Sequence, residues 1–231
     1  MKRARRVVAF IPMKMSNERL PGKNDKLIGG DTPLYHLITS SLLKTESVDE
    51  VFIYCSEPAL SDLPEGVTYL QRPRDLDLST TSITEVMDSF AADVPSDIYL
   101  MAHATAPFLS PESLDRIVRA VLHEGHDSAL AVSVLQDFLW KSGKPFNYDM
   151  THIPRTQDLE QFLSETTGAY AYTADVLSRG RRVGDNPAPI PVSKLEAIDI
   201  NDEEDWVIAD AIYRHLWNSG SQSLGNPLRR L

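Results

Sequence analysis

Mostly apolar, continuous runs stand at Val7–Pro12, Val51–Cys55, Asp97–Ala102 and Ser128–Leu135. Such runs predict strands covered on both faces, as in a parallel sheet buried between helices. Between them the spacing turns helical. Leu34, Leu37, Ile38 and Leu42 share one helix face, with Thr32 as its predicted cap, Pro33 as its first residue and an end near Lys44. Ser82-Ile83-Thr84-Glu85 has the form of a capping box ahead of Val86, Met87 and Phe90. Ser110-Pro111 opens a helix carrying Leu114, Ile117, Val118 and Val121. A last helix starting near Asp202 puts Trp206, Val207, Ala209, Ile212, Tyr213 and Leu216 at core spacing. This alternation of strands and helices is the mark of the α/β class.

No repeat or long Pro/Gly linker divides the chain, so residues 1–218 are expected to form one domain and 219–231 a flexible tail. The stretch Gln136–Glu165 departs from the alternation. It carries Phe138, Trp140, Phe146, Tyr148 and Phe162 among polar residues and prolines, as expected of an excursion from the sheet that covers a site or meets a partner.

Composition removes several classes. With 42% hydrophobic and 24% charged residues among 231, the chain is expected to fold rather than stay disordered. Lys+Arg number 23 and Asp+Glu 33, a net charge of −10, which argues against broad nucleic-acid or anionic-membrane binding. No apolar run approaches the roughly 20 residues of a membrane span. Lys2, Arg3, Arg5 and Arg6 resemble the start of a leader, but the apolar run behind them stops at Pro12 and meets Lys14. That run reads as the first strand, and a cytoplasmic location is expected. Cys55 is the lone cysteine, without an internal disulfide partner or zinc companions, and is expected to be buried and inert.

Against this acidic background the segment Ile11–Asn24 stands out, because it follows a strand end and carries Lys14, Arg19 and Lys23. Ligands of open α/β sheets bind beyond the carboxyl ends of the strands. Concentrated cations there suit a polyphosphate. Pro21-Gly22 can turn the chain sharply and bring backbone N–H groups to phosphate oxygens, while Lys23 suits the charge of a departing pyrophosphate. A solvated basic loop fits the spacing equally well, and a Walker A loop does not fit.

Five ordered blocks between Val7 and Tyr213 carry a resemblance. They are Ile11–Asn24; Gln71-Arg72-Pro73 with Thr80-Thr81-Ser82; His103-Ala104-Thr105-Ala106-Pro107; Arg155-Thr156-Gln157-Asp158-Leu159 with Glu165–Tyr170; and Ala197-Ile198-Asp199-Ile200-Asn201. Together they resemble the CMP-sialic acid synthetase group of cytidylyltransferases, related to the CMP-Kdo synthetases. The resemblance implies a three-layer α/β/α Rossmann-like nucleotidyltransferase fold, GT-A-like, with a mostly parallel central sheet. It also implies transfer of CMP from CTP to an acidic acceptor, Mg²⁺ as cofactor, release of pyrophosphate, and a homodimer built partly by the aromatic excursion.

Carried over by position, Lys14, Arg19, Lys23 and Asn24 would hold the phosphates and ribose, with Arg72, Ser82 and His103 around the cytosine and ribose. Lys23, Arg19 and Asp199 would be catalytic, and Asp199, expected at a strand end, would bind the metal. His103, Lys141, Arg155, Gln157 and Asp158 would meet the acceptor, where cations suit a carboxylate or phosphonate. Simpler readings stand beside these: an exposed loop cation for Arg72, a helix cap for Ser82, and solvated loop charges for Lys141, Arg155 and Asp158. Asn201 stands where the family has a second Asp. Either Asp202 takes that place or the metal is held by fewer protein charges, and Asp202 also reads as a helix N-cap. The acceptor is expected to be a sialic-acid-like 2-keto sugar acid, with a phosphonate as the alternative. A catalytically weak nucleotide-binding regulator on the same fold is the competing class.

Overall fold

A computed structural model describes residues 5–16, 19–57, 60 and 63–220, the side chains of 217–220 aside. The chain opens with β1 (Val7–Met13), the hairpin pair β2 (Leu27–Ile28) and β3 (Thr32–Pro33), then α1 (Leu34–Leu43) and β4 (Glu50–Cys55). It continues through β5 (Val67–Gln71), α2 (Ile83–Asp93), β6 (Ile98–Ala102), α3 (Pro111–Leu122) and β7 (Ser128–Leu135). A second short hairpin, β8 (Trp140–Lys141) with β9 (Lys144–Pro145), precedes β10 (Phe162–Thr173), α4 (Ala174–Ser178), β11 (Pro187–Pro191) and α5 (Glu203–Gly220). Among these residues no helix is long and apolar enough to cross a membrane.

The central sheet of the described residues has the order β11-β7-β10-β6-β1-β4-β5. β1 is parallel to β4 and to β6, β4 to β5, and β7 to β11, while β10 alone runs antiparallel, against β6 and β7. The crossover through α3 leaves a gap one strand wide between β6 and β7, and β10 fills it. The expected mostly parallel α/β sheet is therefore present. β1 shows why it is buried on both sides. Val7, Ala9, Ile11 and Met13 face the layer that includes Tyr35, Ile38 and Leu42 of α1 and Leu114, Ile117 and Val118 of α3. Val8 and Phe10 face the opposite layer with Val86, Met87 and Phe90 of α2 and Val176 and Leu177 of α4. Phe10 stacks on Phe90 at 4.1 Å between ring centroids, closing that layer. Cys55 is buried, as expected.

Several boundaries differ from the sequence expectations. Thr32 does not cap α1. It lies in β3, Pro33 takes the cap position without a side-chain bond, and two free N–H groups of the first turn, Leu34 and Tyr35, donate to the carbonyls of Lys26 and Asn24, both at 3.1 Å. The excursion ends at residue 161, because Phe162–Glu165 already pair with Val132–Leu135 of β7. Val207 is exposed rather than core, since α5 buries only the stripe Trp206, Ala209 and Tyr213 against Leu20, Ile28 and Leu34. α5 continues through Gly220, two residues into the expected tail, and the rest of that tail, 221–231, lies outside the described residues.

Ala197–Asn201 is not a strand. Glu196, itself buried, accepts from the Ser110 N–H at 3.1 Å and the Ser110 hydroxyl at 2.6 Å, and from the Ser193 N–H at 3.0 Å. This carboxylate fastens the turn of residues 193–197 to the N-terminus of α3, and the Ile200 N–H then donates to the Thr105 carbonyl at 2.8 Å. Burial pushes the Glu196 pKa up, but the hydrogen bonds, with Ser110 foremost, outweigh it and hold the carboxyl below its usual range. A depressed carboxyl pKa contributes stability above the unfolded value and loses it as pH falls through the folded one. Glu196→Gln is therefore expected to cost about 2 kcal/mol at pH 7, the scale of hydrogen bonds to a charged group. Denaturant midpoints of the two proteins should converge below about pH 4. An undiminished gap at low pH would show that the charge of Glu196 is irrelevant.

Candidate active site

A pocket of about 590 Å³ opens at the carboxyl ends of the parallel strands. β4 and β5 are laid down on one side of β1 and β6 on the other, so the pocket sits where the strand order reverses. It is lined by Pro12 of β1 and Lys14, Arg19, Lys23 and Asn24 after it, Arg72 after β5, Thr81 and Ser82 at the start of α2, and His103 to Thr105 after β6. Thr167, Arg182, Asp199 and Asn201 complete its polar wall.

The loop after β1 is folded by its own backbone. Gly22 takes φ 65° in a turn in which the Lys23 N–H donates to Leu20 O (3.2 Å) and the Asp25 N–H to Gly22 O (3.1 Å). Asn24 is buried, and its side-chain amide donates to Lys14 O at 3.0 Å, pinning the loop's end to its beginning. α5 clamps the far side, with Lys26 bonded to Glu203 at 3.2 Å and 4.4 Å above the Trp206 ring, and the Gly29 N–H on Asp210 at 2.7 Å.

Lys23 reaches across to the Ile200 carbonyl at 2.9 Å. Burial lowers its pKa, with nearby Asp199 opposing and Arg19 adding to that effect. Arg19 donates to Asn201 Oδ1 at 2.9 Å, Asn201 Nδ2 donates to Asp199 Oδ2 at 2.9 Å, and the Thr167 hydroxyl donates to the same oxygen at 3.1 Å. Asp199 thus sits among cations with Oδ2 doubly bonded, while Oδ1 accepts no hydrogen bond from the described residues. Asp202 takes no part in this wall. Its Oδ1 accepts from the N–H groups of Glu204 (3.0 Å) and Asp205 (3.1 Å), as a helix cap does. Among the described residues no three His, Cys, Asp or Glu side chains group as a metal cage. A Mg²⁺ ion fits here only as a guest of one protein carboxylate with phosphate oxygens and water, a habit of that ion.

On the other flank Arg72 is buried and ion-paired with Asp77, rather than an exposed loop cation. Its Nε is buried without a partner among the described residues, as is the Oγ of Ser56 just after β4. Ser82 lines the pocket, but its hydroxyl is committed to the capping box with Glu85. His103 donates its backbone N–H to Gly168 O at 2.9 Å, and its ring Nε2 is buried without a partner among the described residues. Burial lowers the His103 pKa to about 4, with Asp199 pulling upward and Arg182 and Lys23 adding to the lowering, so the ring is neutral near pH 7.

Lys141, Arg155, Gln157 and Asp158 do not line this pocket. Lys141 is exposed on the β8–β9 hairpin, Arg155 and Asp158 pair with each other at 2.7 Å, and the Gln157 carbonyl accepts from Gln136 at 3.0 Å. Of the pocket residues given no role from the sequence, Thr167 and Arg182 matter most to its polar wall. Thr167 lies at an irregularity of β10, between Glu165 and Tyr170, with φ 57°, a conformation rare for a β-branched residue. Its neighbour Gly168 has no room for a side chain, since a Cβ there would lie 2.9 Å from the Ala106 Cβ. Arg182 is 4.3 Å above the Tyr170 ring and 3.3 Å from Glu165. The cluster Arg179, Arg181 and Arg182 in an acidic chain was its only sequence signal. Arg179 and Arg181 pair with Asp185, leaving Arg182 to the pocket.

The profile of the cytidylyltransferase family matches residues 8–191. The chain is similar, at 23% identity over 224 residues, to the CMP-N,N′-diacetyllegionaminic acid synthase of Legionella pneumophila, covering 90% of this chain and 96% of that one. It is also 23% identical over 213 residues to N-acylneuraminate cytidylyltransferase B of Danio rerio, covering 87% of this chain and 50% of that longer protein. Two solved structures share the fold. CMP:2-keto-3-deoxy-manno-octonic acid synthetase complexed with CTP matches with a TM-score of 0.67 at 16% identity, over 91% of this chain and 99% of that one. A 4-diphosphocytidyl-2C-methyl-D-erythritol synthase from Anaerococcus prevotii matches with a TM-score of 0.61 at 13% identity, over 91% and 97%. The family profile runs from β1 through β11 and takes in the pocket residues up to Arg182, with Asp199 and Asn201 past its end, and the chain belongs to the cytidylyltransferase family of CTP-dependent nucleotidyltransferases.

Proposed function

We propose that this cytidylyltransferase moves CMP from CTP to an acid-bearing acceptor, a sialic-acid-like 2-keto sugar acid, and releases pyrophosphate. The observation that carries this reading is the cationic wall around Asp199, with Lys23 and Arg19 tied to the segment that bears it. An acceptor oxygen attacks the α-phosphorus of CTP while the bond to the bridging oxygen of the leaving pyrophosphate breaks in line. Lys14, Arg19 and Lys23 take the triphosphate charge, and Lys23, partly stripped of water, meets the charge that builds on the leaving group. Asp199 would hold Mg²⁺, which when bound neutralises phosphate charge. Arg72 offers its buried unpartnered Nε to a cytosine base edge, and neutral His103 offers Nε2 without adding charge.

A phosphonate acceptor is the second reading, favoured by one observation. A sugar hydroxyl must lose a proton, whereas a phosphonate oxygen is already ionised, and the His103 ring with a pKa of about 4 is a weak base. A cytoplasmic location remains the expectation from sequence. We also propose a homodimer. Trp140, Phe146, Met150, Ile153 and Leu163 are exposed large apolar residues of the excursion and the start of β10, and a second copy would cover them. In such a dimer Lys141 would serve the neighbouring pocket rather than its own.

With Mg²⁺ and N-acetylneuraminate, Kdo or 2-aminoethylphosphonate, pyrophosphate release is expected from CTP and not from ATP or GTP. Lys23→Ala should lower kcat about 100-fold, the scale for losing one charge-stabilising donor; an unchanged kcat would place Lys23 outside the chemistry. The kcat profile between pH 6 and 8 should keep its shape in His103→Gln. A limb near pH 6.5 that vanishes in the variant would show that His103 titrates in the working range. Light scattering at micromolar concentration should give the mass of a dimer, and the double substitution Trp140→Asp, Phe146→Asp that of a monomer. A monomeric wild type would remove the dimer proposal.

A further inference from the structure

We infer that Arg182 is the residue that binds the acid group of the acceptor, within the same chain that binds CTP. This assignment rests on the transfer of CMP to an acid-bearing acceptor proposed above. The pocket's cations divide by origin and by commitment. Lys14, Arg19 and Lys23 belong to one loop after β1 and are the group suited to a triphosphate. Arg72 comes from the opposite half of the sheet and is neutralised by Asp77. Arg182 is left, arriving from the segment between α4 and β11.

Its environment is built to hold a guanidinium without using up its donors. The planar group lies on the Tyr170 ring, which supplies attraction to a cation but accepts no in-plane hydrogen bond. Glu165 meets one terminal nitrogen at 3.3 Å, a long contact, because the same carboxylate oxygen takes the Tyr170 hydroxyl at 2.8 Å. Burial foremost, with the bond to Glu165, raises the Tyr170 pKa, so the phenol stays a donor and Glu165 stays oriented. Nε and the other terminal nitrogen of Arg182 have no partner recorded among the described residues. A fork with free donors, fixed over an aromatic face, matches a carboxylate or phosphonate with little ordering cost on binding.

The acceptor-side cations expected from sequence strengthen the assignment by their location. Lys141 and Arg155 are outside this pocket. A single chain that meets an anionic acceptor beside Asp199 has in Arg182, whose tie to Glu165 is a single long contact, a pocket cation outside the β1 loop with donors to spare.

The test compares wild type, Arg182→Met and Arg182→Lys as full chains, after circular dichroism confirms equal folding. Calorimetry with CTP and Mg²⁺ should give a CTP Kd within about twofold in all three. Saturation-transfer NMR then measures binding of N-acetylneuraminate, its methyl ester and 2-aminoethylphosphonate to the CTP-loaded proteins, and pyrophosphate release measures turnover. Arg182→Met should weaken binding of the acid that the wild type prefers by about tenfold or more, the usual scale for a charge-assisted hydrogen bond. It should leave the neutral ester unchanged, with Arg182→Lys in between. Equal binding of the acid by wild type and Arg182→Met, equal losses for acid and ester, no binding of either acid by the wild type, or a CTP Kd weakened as much as acid binding would each overturn the assignment. Acid binding that depends on Arg182 without any pyrophosphate release would uphold the subsite and overturn the transfer reaction instead. Preference for the sugar acid or for the phosphonate identifies which anion Arg182 meets.

Discussion

The Lys23 ammonium on the Ile200 carbonyl joins two segments separated by 177 positions in the chain, and the pocket is organised around that joint. It works beside the Ile200 N–H on Thr105 O and the Arg19–Asn201 bond, which fix the same segment from other sides. Each partner is prepared elsewhere. Leu20 and Ile200 are buried in one small cluster with Phe108 and Trp206, so apolar contact brings the two segments together before any charge is placed. Glu196 fixes the start of the second segment on α3, and Asp205 takes the Asn201 N–H at 2.8 Å at its end. Burial of this lysine pushes its pKa down, and Asp199 nearby opposes that shift. The arrangement gives an anionic ligand a cation that already has a fixed position.

Asn201 gains a physical meaning in this setting. Its carbonyl oxygen accepts from Arg19 and its amide nitrogen donates to Asp199, so one side chain serves a cation and an anion at once. A carboxylate at 201 could satisfy Arg19 but would set two negative oxygens facing each other at the distance now spanned by a hydrogen bond. The amide therefore removes a charge from the Asp199 wall of the pocket and supplies orientation in exchange. Read as a sequence departure, Asn201 suggested a weakened metal site. Its bonds describe a site with one carboxylate held from two directions, since Thr167 approaches the same oxygen from the irregular turn of β10.

What could be read in the sequence depended on whether a residue's surroundings are local. β1, β4, β6 and β7 are continuous apolar runs because both faces are covered, and the capping residues of α2 and α3 act within their own first turns. β11 escaped notice because Pro187, Pro189 and Pro191 argue against a strand. The Val192 N–H donates to Val132 O, and the two-residue period puts Ala188 and Ile190 on that same edge, so the prolines face away from β7 on an outer strand. β10 was hidden by its mixed composition, since its second half lies between β6 and β7 while its first half pairs with β7 alone and leaves Leu163 exposed. The basic loop and Asp199 were legible as chemistry, though Asp199 sits after a turn rather than on a strand. Arg182 was not legible as a site residue, because three neighbouring arginines look alike until the fold gives two of them to Asp185.

The charge distribution also bears on which anions can use the pocket. A net charge of −10 repels CTP and an acidic acceptor at long range, yet at physiological salt that repulsion is screened over about 8 Å. Inside that distance the ligand meets cations anchored to Ile200, Asn201, Asp77, Glu165 and Tyr170, whose positions are settled before it arrives. Preset charges of this kind lose little to reorganisation when the reaction shifts charge from the α-phosphorus to the leaving group. A long polyanion cannot confine itself to the pocket and must lie against the acidic exterior as well. An acidic chain can therefore hold a small, highly charged nucleotide, because its cations are concentrated in one pocket rather than numerous overall.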